Sequence, residues 1–158
     1  TNVSYLFLNT LLEVGFPKIY PVNPKGGKIL GVKVYPSIKD IPDEVDLALL
    51  TVPRKAIPGI LKDCVEKGVK GAILYSGGFS EAGTEGKKFE EKIVRIARKG
   101  DTRIIGPNCV GTYNPSAKLI PQSILPKESG PVGVLSHSGF LFYYLLMSIN
   151  DAGLKPSK

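Results

Sequence analysis

One short segment of the chain places two hydroxyl side chains and the single histidine at a predicted turn between a strand and a helix. The segment contains Ser136, His137 and Ser138, followed by Gly139. It is not a hydrolase nucleophile elbow, because neither serine has glycine at both second-neighbour positions and no other histidine exists to act as base. Two hydroxyls and free amides at a helix start can bind phosphate, or the serines can be ordinary N-caps. The sequence leaves both interpretations open.

A second candidate for chemistry is the turn that follows the first predicted strand. In a dinucleotide-binding domain an acidic residue after the second strand binds the adenosine ribose of NAD, and the first strand predicted here corresponds to that second strand. Here Asn23, Pro24 and Lys25 occupy it, followed by two glycines. A lysine suits a phosphate on the ribose, as in coenzyme A (CoA) or NADP, and the glycines would let backbone amides approach the same anion. The alternative interpretation is a glycine turn with a solvated lysine.

Composition and charge indicate a globular protein with an anionic partner. Of the 158 residues, 42% are hydrophobic and 22% are charged, which is typical of a packed domain. The 21 lysines and arginines exceed the 14 acidic residues, giving a net charge of +7 that favours an anionic ligand. The alternative is a solvated surface rich in lysine and glutamate, of the kind that heat-adapted proteins favour. The basic residues are scattered and tryptophan is absent, so no nucleic-acid partner is expected, although the charge alone would permit RNA binding.

The sequence also bears on the compartment and on metals. Cys64 and Cys109 are separated and do not suggest a disulfide framework, which indicates a reducing, cytoplasmic setting. One histidine and two distant cysteines do not make a zinc site, so no metal ligand is predicted. No apolar run approaches the ~20 residues that a membrane-spanning helix needs, and no secretory signal opens the chain. The most apolar stretch, residues 139–147, predicts a buried helix.

Short aliphatic runs alternate with amphipathic stretches along the chain, which is typical of a parallel sheet wrapped by helices. Helices are predicted before Gly15, around residues 57–65 and 89–97, and over residues 139–150. Strands are predicted at residues 18–22, 46–52, 71–75, 103–105 and 131–135, with a short extended piece at 32–34. The expected fold class is α/β, a Rossmann-like doubly wound parallel sheet with helices on both faces.

One element of that fold is absent from the sequence. A nucleotide-binding sheet normally begins with a strand and a glycine-rich turn into the first helix, whereas this chain opens at the helix. We therefore expect a missing strand at the centre of the sheet unless preceding residues supply it.

Five segments, taken in order, resemble the NDP-forming acyl-CoA synthetases, the superfamily of ADP-forming acetate–CoA ligase and the succinyl-CoA synthetase alpha subunit. The segments are residues 20–27, 51–53, 76–81, 105–111 and 135–139. The similarity covers essentially the whole chain, and its most specific part is Gly-Pro-Asn-Cys-x-Gly followed by Ser-x-Ser-Gly. The resemblance implies a CoA-binding Rossmann-like domain in residues 1–122, incomplete at its N-terminus. It implies that residues 123–158 are a linker and the first strand and helix of a flavodoxin-like domain.

The resemblance also implies an activity and partners. Such enzymes are acid–CoA ligases that interconvert acyl-CoA, ADP and phosphate with the acid, CoA and ATP. The implied cofactor of this chain is CoA, while ATP or ADP and Mg bind a partner ATP-grasp domain or beta subunit in an oligomer. The phosphorylated histidine of the family lies beyond Lys158 and does not match His137. We therefore assign no catalytic residue and expect this chain alone to be inactive.

Matching positions imply the binding residues. CoA contacts are implied for Lys25, Val52, Pro53, Tyr75, Ser76 and Gly77. Phosphate contacts are implied for Ser136, Ser138, Gly139 and Asn108, and a contact with the acid substrate for Tyr143. The glycine-rich CoA loop that precedes the first helix in the family is absent from this sequence.

Two other functions remain as alternatives at this point. The first is a non-catalytic CoA-binding module, either free-standing or regulatory in an acyltransferase fusion. A ligase would differ from it by continuing to a histidine-bearing loop. The second is an NADP-dependent oxidoreductase, for which the sequence supplies no nicotinamide pocket.

Overall fold

The computed structural model describes residues 3–158. The chain forms two compact units. The sheet unit is Tyr20–Gly111, and the helical unit consists of two stretches, the described residues up to Ile19 and Thr112–Lys158. In chain order the elements are α1 (Val3–Glu13), β1 (Gly27–Ile29), β2 (Val32–Val34), β3 (Leu47–Leu50), α2 (Ile57–Lys67), β4 (Gly71–Leu74), α3 (Thr84–Ala97), β5 (Arg103–Ile105) and α4 (Gly139–Asp151). The predicted boundary between residues 122 and 123 stays a prediction, and a strand before α1 lies outside the described residues.

Three parallel strands form the main sheet of the sheet unit, in the order β3-β4-β5. Leu50 pairs with Leu74, and Ala72 pairs with Ile104. In the middle strand Ala72, Ile73 and Leu74 are 1%, 2% and 0% exposed, so both of its faces are buried. Continuous apolar runs predict such strands. The α/β class is confirmed, with strands at three of the predicted positions.

Helices α2 and α3 pack in one core with the face of the sheet that Ala72 and Leu74 present. Leu61 and Cys64 of α2 and Ile93 of α3 are fully buried in this core, and both helices lie where helices were predicted. These helices connect consecutive parallel strands, so their packing fixes the strand ends at which the connecting loops begin.

Residues 18–22 do not form the predicted strand. Val22 makes one isolated parallel bridge with Tyr35, flanked by two backbone hydrogen bonds of Tyr35 at 2.8 and 2.9 Å. Proline has no N–H to donate, and Pro21 and Pro24 stand on either side of Val22, so the ladder cannot extend. The prediction of a strand here was wrong.

A short antiparallel hairpin follows this bridge. Its strands are β1 and β2, with Gly27 opposite Val34, and β2 coincides with the extended piece predicted at residues 32–34. Leu30 and Gly31 form the turn with φ of 48° and 77°. The hairpin therefore starts directly after the turn that carries Lys25.

The helical unit has its own core, built from Tyr113, Ile120, Leu125 and Leu146. Helix α4 was predicted to be buried, and that prediction was wrong. Leu146 is fully buried, but Phe140 is 82% and Tyr144 is 65% exposed. A helix that is apolar on all sides can bury only the face that meets its core.

The segment at residues 131–135 also differs from its prediction. It makes an isolated parallel bridge between Val132 and Pro156 instead of a strand. Pro131 and Pro156 each lack the N–H that a longer ladder would use. Among residues 3–158, none of the helices combines the length and the apolar character that crossing a bilayer requires.

Candidate functional site

The carboxyl ends of the three parallel strands bring together residues from separate parts of the sequence. Val52 follows β3, Ser76 and Gly77 follow β4, and Asn108 follows β5. Because these strands are adjacent and parallel, their carboxyl ends share one edge of the sheet. Open α/β sheets bind their ligands at this edge. We call these four residues the carboxyl-edge cluster.

Direct contacts join the members of the carboxyl-edge cluster. The Ser76 hydroxyl donates a hydrogen bond to the backbone oxygen of Val52. The Asn108 N–H donates to the backbone oxygen of Ser76 at 3.0 Å. A Cβ on Gly77 would lie 3.0 Å from Glu81 Oε1 and 3.6 Å from Asn108 Oδ1. A Cβ at position 77 would therefore be tight against Glu81 Oε1 and in ordinary van der Waals contact with Asn108. Gly77 itself is exposed.

Pro53 and Tyr75, the other residues predicted to contact CoA along these strands, flank the cluster. Pro53 is exposed directly after Val52. Tyr75 is half-buried, and its N–H donates to the Leu50 oxygen at 3.1 Å, which continues the ladder between β3 and β4. This edge of the sheet thus has an exposed proline ring and a half-buried tyrosine beside the carboxyl-edge cluster.

Two charged residues beside this edge were not predicted from the sequence. The Arg54 guanidinium donates to the backbone oxygen of Gly78. Glu81 accepts hydrogen bonds from the N–H groups of Gly78 and Phe79, the latter at 3.0 Å. Hydrogen bonds from backbone N–H groups, that of Gly78 first, hold the pKa of the Glu81 carboxyl below its usual value. The sequence signal that could have indicated them was their position: Arg54 directly follows Pro53, and Glu81 comes three residues after Gly78.

Lys25 lies on the turn before β1. Its N–H donates to the Asn23 side-chain oxygen at 3.0 Å, and Gly26 N–H donates to the Asn23 backbone oxygen at 2.8 Å. Gly26 and Gly27 have φ of 59° and 96°, values that glycine adopts without strain. The Lys25 side chain is exposed, and within the described part of the chain no ion pair or hydrogen bond joins it to the carboxyl-edge cluster. That Lys25 and the carboxyl-edge cluster bind the same ligand stays a prediction.

The remaining predicted site residues lie in the helical unit. Ser138 Oγ accepts the Leu141 N–H at 3.3 Å and so caps α4. Ser136 Oγ donates to the Ser138 backbone oxygen at 3.0 Å and accepts the Ser138 N–H at 3.2 Å. The geometry is that of an N-cap, with Gly139 as the first helical residue, and phosphate binding there stays a prediction. Tyr143 is half-buried against the core of the helical unit.

Neither cysteine is in a disulfide bond. Burial raises the pKa of the Cys64 thiol to about 11, so this thiol stays protonated in the folded core. Cys109 is half-buried beside Asn108, with its thiol 3.6 Å from the Gly111 oxygen. Within residues 3–158 there is no cluster of three or more side chains of the kinds that ligate metal ions.

Comparison with known proteins assigns the family of this chain. The model of the CoA binding domain family matches residues 1–115. The chain is 46% identical over 134 residues to acetate–CoA ligase (ADP-forming) II of Archaeoglobus fulgidus, a match that covers 84% of this chain and 20% of that protein. It is 45% identical over 140 residues to the alpha subunit of acetate–CoA ligase (ADP-forming) II of Pyrococcus furiosus, covering 89% and 31% respectively. The chain thus spans between a fifth and a third of the length of these relatives.

Solved structures agree with this assignment of the fold. One is an acetyl-coenzyme A synthetase 1 of Ca. Korarchaeum cryptofilum, described as dinucleotide forming, in complex with phosphate and ADP. It matches 99% of this chain at a TM-score of 0.91 and 35% identity, over 34% of its own length. The apo form of the same protein matches 96% of this chain at a TM-score of 0.88 and 36% identity, over 33% of its own length.

Proposed function

The chain belongs to the CoA binding domain family, and from this membership we propose that it is the CoA-binding part of an NDP-forming acyl-CoA synthetase. Such an enzyme is an acid–thiol ligase that interconverts acyl-CoA, ADP and phosphate with the acid, CoA and ATP. The observation that carries the proposal is the carboxyl-edge cluster, which gathers predicted CoA contacts from two different loops at the ligand-binding edge of a parallel sheet.

The residues of the sheet unit fit the chemistry of CoA. Its phosphates are anionic, and the chain supplies a net charge of +7 and the exposed Lys25 ammonium beside two glycines of positive φ. We expect Lys25 to bind the phosphate on the ribose. Val52 and Pro53 offer apolar surface, while the backbone from Tyr75 to Gly77 offers polar groups for the rest of the molecule.

The helical unit and the rest of the protein would supply the remaining parts of the reaction. We expect Ser136, Ser138 and Gly139 to be phosphate contacts and Tyr143 to contact the acid. In the sheet unit, Asn108 is likewise expected to be a phosphate contact. The phosphorylated histidine would lie later in the polypeptide. ATP or ADP and Mg would bind an ATP-grasp domain or beta subunit in an oligomer in the cytoplasm, and the subunit naming of the Pyrococcus furiosus relative supports a partner subunit.

The test is ATP formation by the full-length protein with its partner subunit. The protein is incubated with ADP, phosphate and a panel of short-chain and aromatic acyl-CoA thioesters. We expect ATP and free CoA to appear together in equal amounts with at least one thioester, and only when phosphate is present. CoA binding without ATP formation from any thioester would contradict the ligase and favour a non-catalytic CoA-binding module.

A further inference from the structure

Charged side chains from two different segments hold the peptide groups of Gly78 on either side. Glu81 accepts the Gly78 N–H, and Arg54 donates to the Gly78 carbonyl oxygen. Gly78 has a φ of 90°, in the region that favours glycine. A Cβ at this position would lie 3.5 Å from Arg54 Cδ and Nη1, so the arginine lies directly against the turn. Both polar backbone groups of one residue are therefore satisfied by side chains.

Both charged partners are fixed by further contacts. The Arg54 guanidinium lies 5.1 Å from the centroid of the Phe89 ring, a cation–π distance. Phe89 packs edge-on against Phe79 with ring centroids 5.7 Å apart, and Phe79 is fully buried. The second carboxylate oxygen of Glu81 accepts the Phe79 N–H at 3.0 Å. The two charges thus connect the exposed turn to the core of the sheet unit.

We propose that Arg54 and Glu81 are positioning residues that hold the turn after β4 in the conformation that binds CoA. This inference rests on the proposed function. Arg54 belongs to the segment after β3 and Gly78 to the turn after β4, so their hydrogen bond fixes the spacing between the two segments expected to contact CoA. A turn that is already ordered loses less conformational entropy when the ligand binds. Neither side chain needs to touch CoA for this effect.

The experiment is a double-mutant cycle in the full-length protein, with CoA as the titrant in calorimetry. The variants are Arg54→Gln, Glu81→Gln and the double variant, and the control is Lys55→Gln, which removes one charge from the exposed neighbour of Arg54. We expect each single variant to weaken CoA binding about tenfold, the effect of one hydrogen bond to a charged group. Because both side chains act on Gly78, the double variant should lose less than the product of the single losses. The control should bind within about twofold of wild type.

A second set of measurements separates positioning from general stability. We expect the KM for CoA to rise in each variant while kcat at saturating CoA and the unfolding temperature stay near the wild-type values. Arg54→Lys and Glu81→Asp keep the charges and should restore part of the affinity. If a glutamine variant fails to fold, CoA affinity is measured on these two conservative variants instead, and a loss smaller than that expected for glutamine but above the control is then the expected result.

The possible failures are distinguishable. Wild-type affinity in the single variants, fully multiplicative losses in the double variant, or losses that follow the unfolding temperature would each overturn the positioning role alone. A wild-type protein that does not bind CoA would overturn the proposed function and, with it, this inference.

Discussion

Replacing Lys25 with alanine should weaken the binding of CoA and spare the binding of 3′-dephospho-CoA. The side chain is exposed, and it has no ion-pair partner among residues 3–158. The turn is held by the N–H groups of Lys25 and Gly26, which donate to the side-chain and backbone oxygens of Asn23 respectively, and alanine preserves both bonds. The substitution therefore removes one ammonium from the proposed CoA site and should leave the fold intact. A charge-assisted contact of this kind contributes about 1–3 kcal/mol, so CoA affinity should fall by roughly tenfold or more.

The assay is calorimetric titration of the full-length wild type and Lys25→Ala with both ligands. The matched control is Lys28→Ala, which removes an exposed ammonium three residues away in β1. Since dephospho-CoA lacks the phosphate on the ribose, wild type and Lys25→Ala should bind it almost equally. Equal losses for the two ligands, or an equal effect of Lys28→Ala, would show that Lys25 does not bind that phosphate.

Three further predictions concern the core, a thiol and the histidine. Gly86→Ala places a Cβ 1.7 Å from the Phe79 oxygen and should cost roughly 3 kcal/mol or more of unfolding free energy by calorimetry. Gly59→Ala, whose Cβ meets nothing within 4 Å, is its control and should not destabilise. Because burial raises the pKa of the Cys64 thiol to about 11, iodoacetamide at pH 8.5 should label this residue only after unfolding. The free energy of unfolding should fall as pH rises from about 9 toward 11, because the Cys64 thiol ionises at a lower pH in the unfolded chain than in the folded one. Labelling of Cys64 in the native protein would contradict the burial and the raised pKa on which these two expectations depend. His137→Gln in the full-length enzyme should still form phosphoenzyme with labelled nucleotide, and a folded variant without label would refute the placement of the phosphohistidine later in the chain.

The sequence was sufficient where a continuous apolar run made one structure much more favourable than any other. The runs that became β3 and β4 are too apolar to lie at a surface and too short for helices, so buried parallel strands were the simplest prediction. Residues 18–22 have no such continuous run, and Pro21 within the segment and Pro24 after it lack the N–H donors that a ladder needs. Strand β1 was missed because its turn uses Leu30 and Gly31 at positive φ, whereas the usual hairpin signal is asparagine or aspartate before glycine.

The candidate site was predictable in its location and incomplete in its membership. Val52 ends one predicted strand, Ser76 and Gly77 follow the next, and the carboxyl ends of neighbouring parallel strands must meet at one edge. Arg54 was missed because its role depends on a contact with Gly78, 24 positions later in another loop, which periodicity does not encode. Glu81 was missed because its hydrogen bonds with the N–H groups of Gly78 and Phe79 depend on how the turn folds. The exposure of α4 was missed for a related reason, since its composition predicts burial without saying which faces meet a core.

Hydrogen exchange of the full-length protein, with and without saturating CoA, can locate the bound ligand on the chain. We expect CoA to slow exchange in peptides containing Lys25, in those spanning Val52 to Arg54, and in those spanning Tyr75 to Gly78, because the ligand covers these segments. NADP at the same concentration should leave the three segments unchanged. Slowed exchange elsewhere but not at the carboxyl ends of β3 and β4, or equal protection by NADP, would contradict the assignment of this edge as a CoA site.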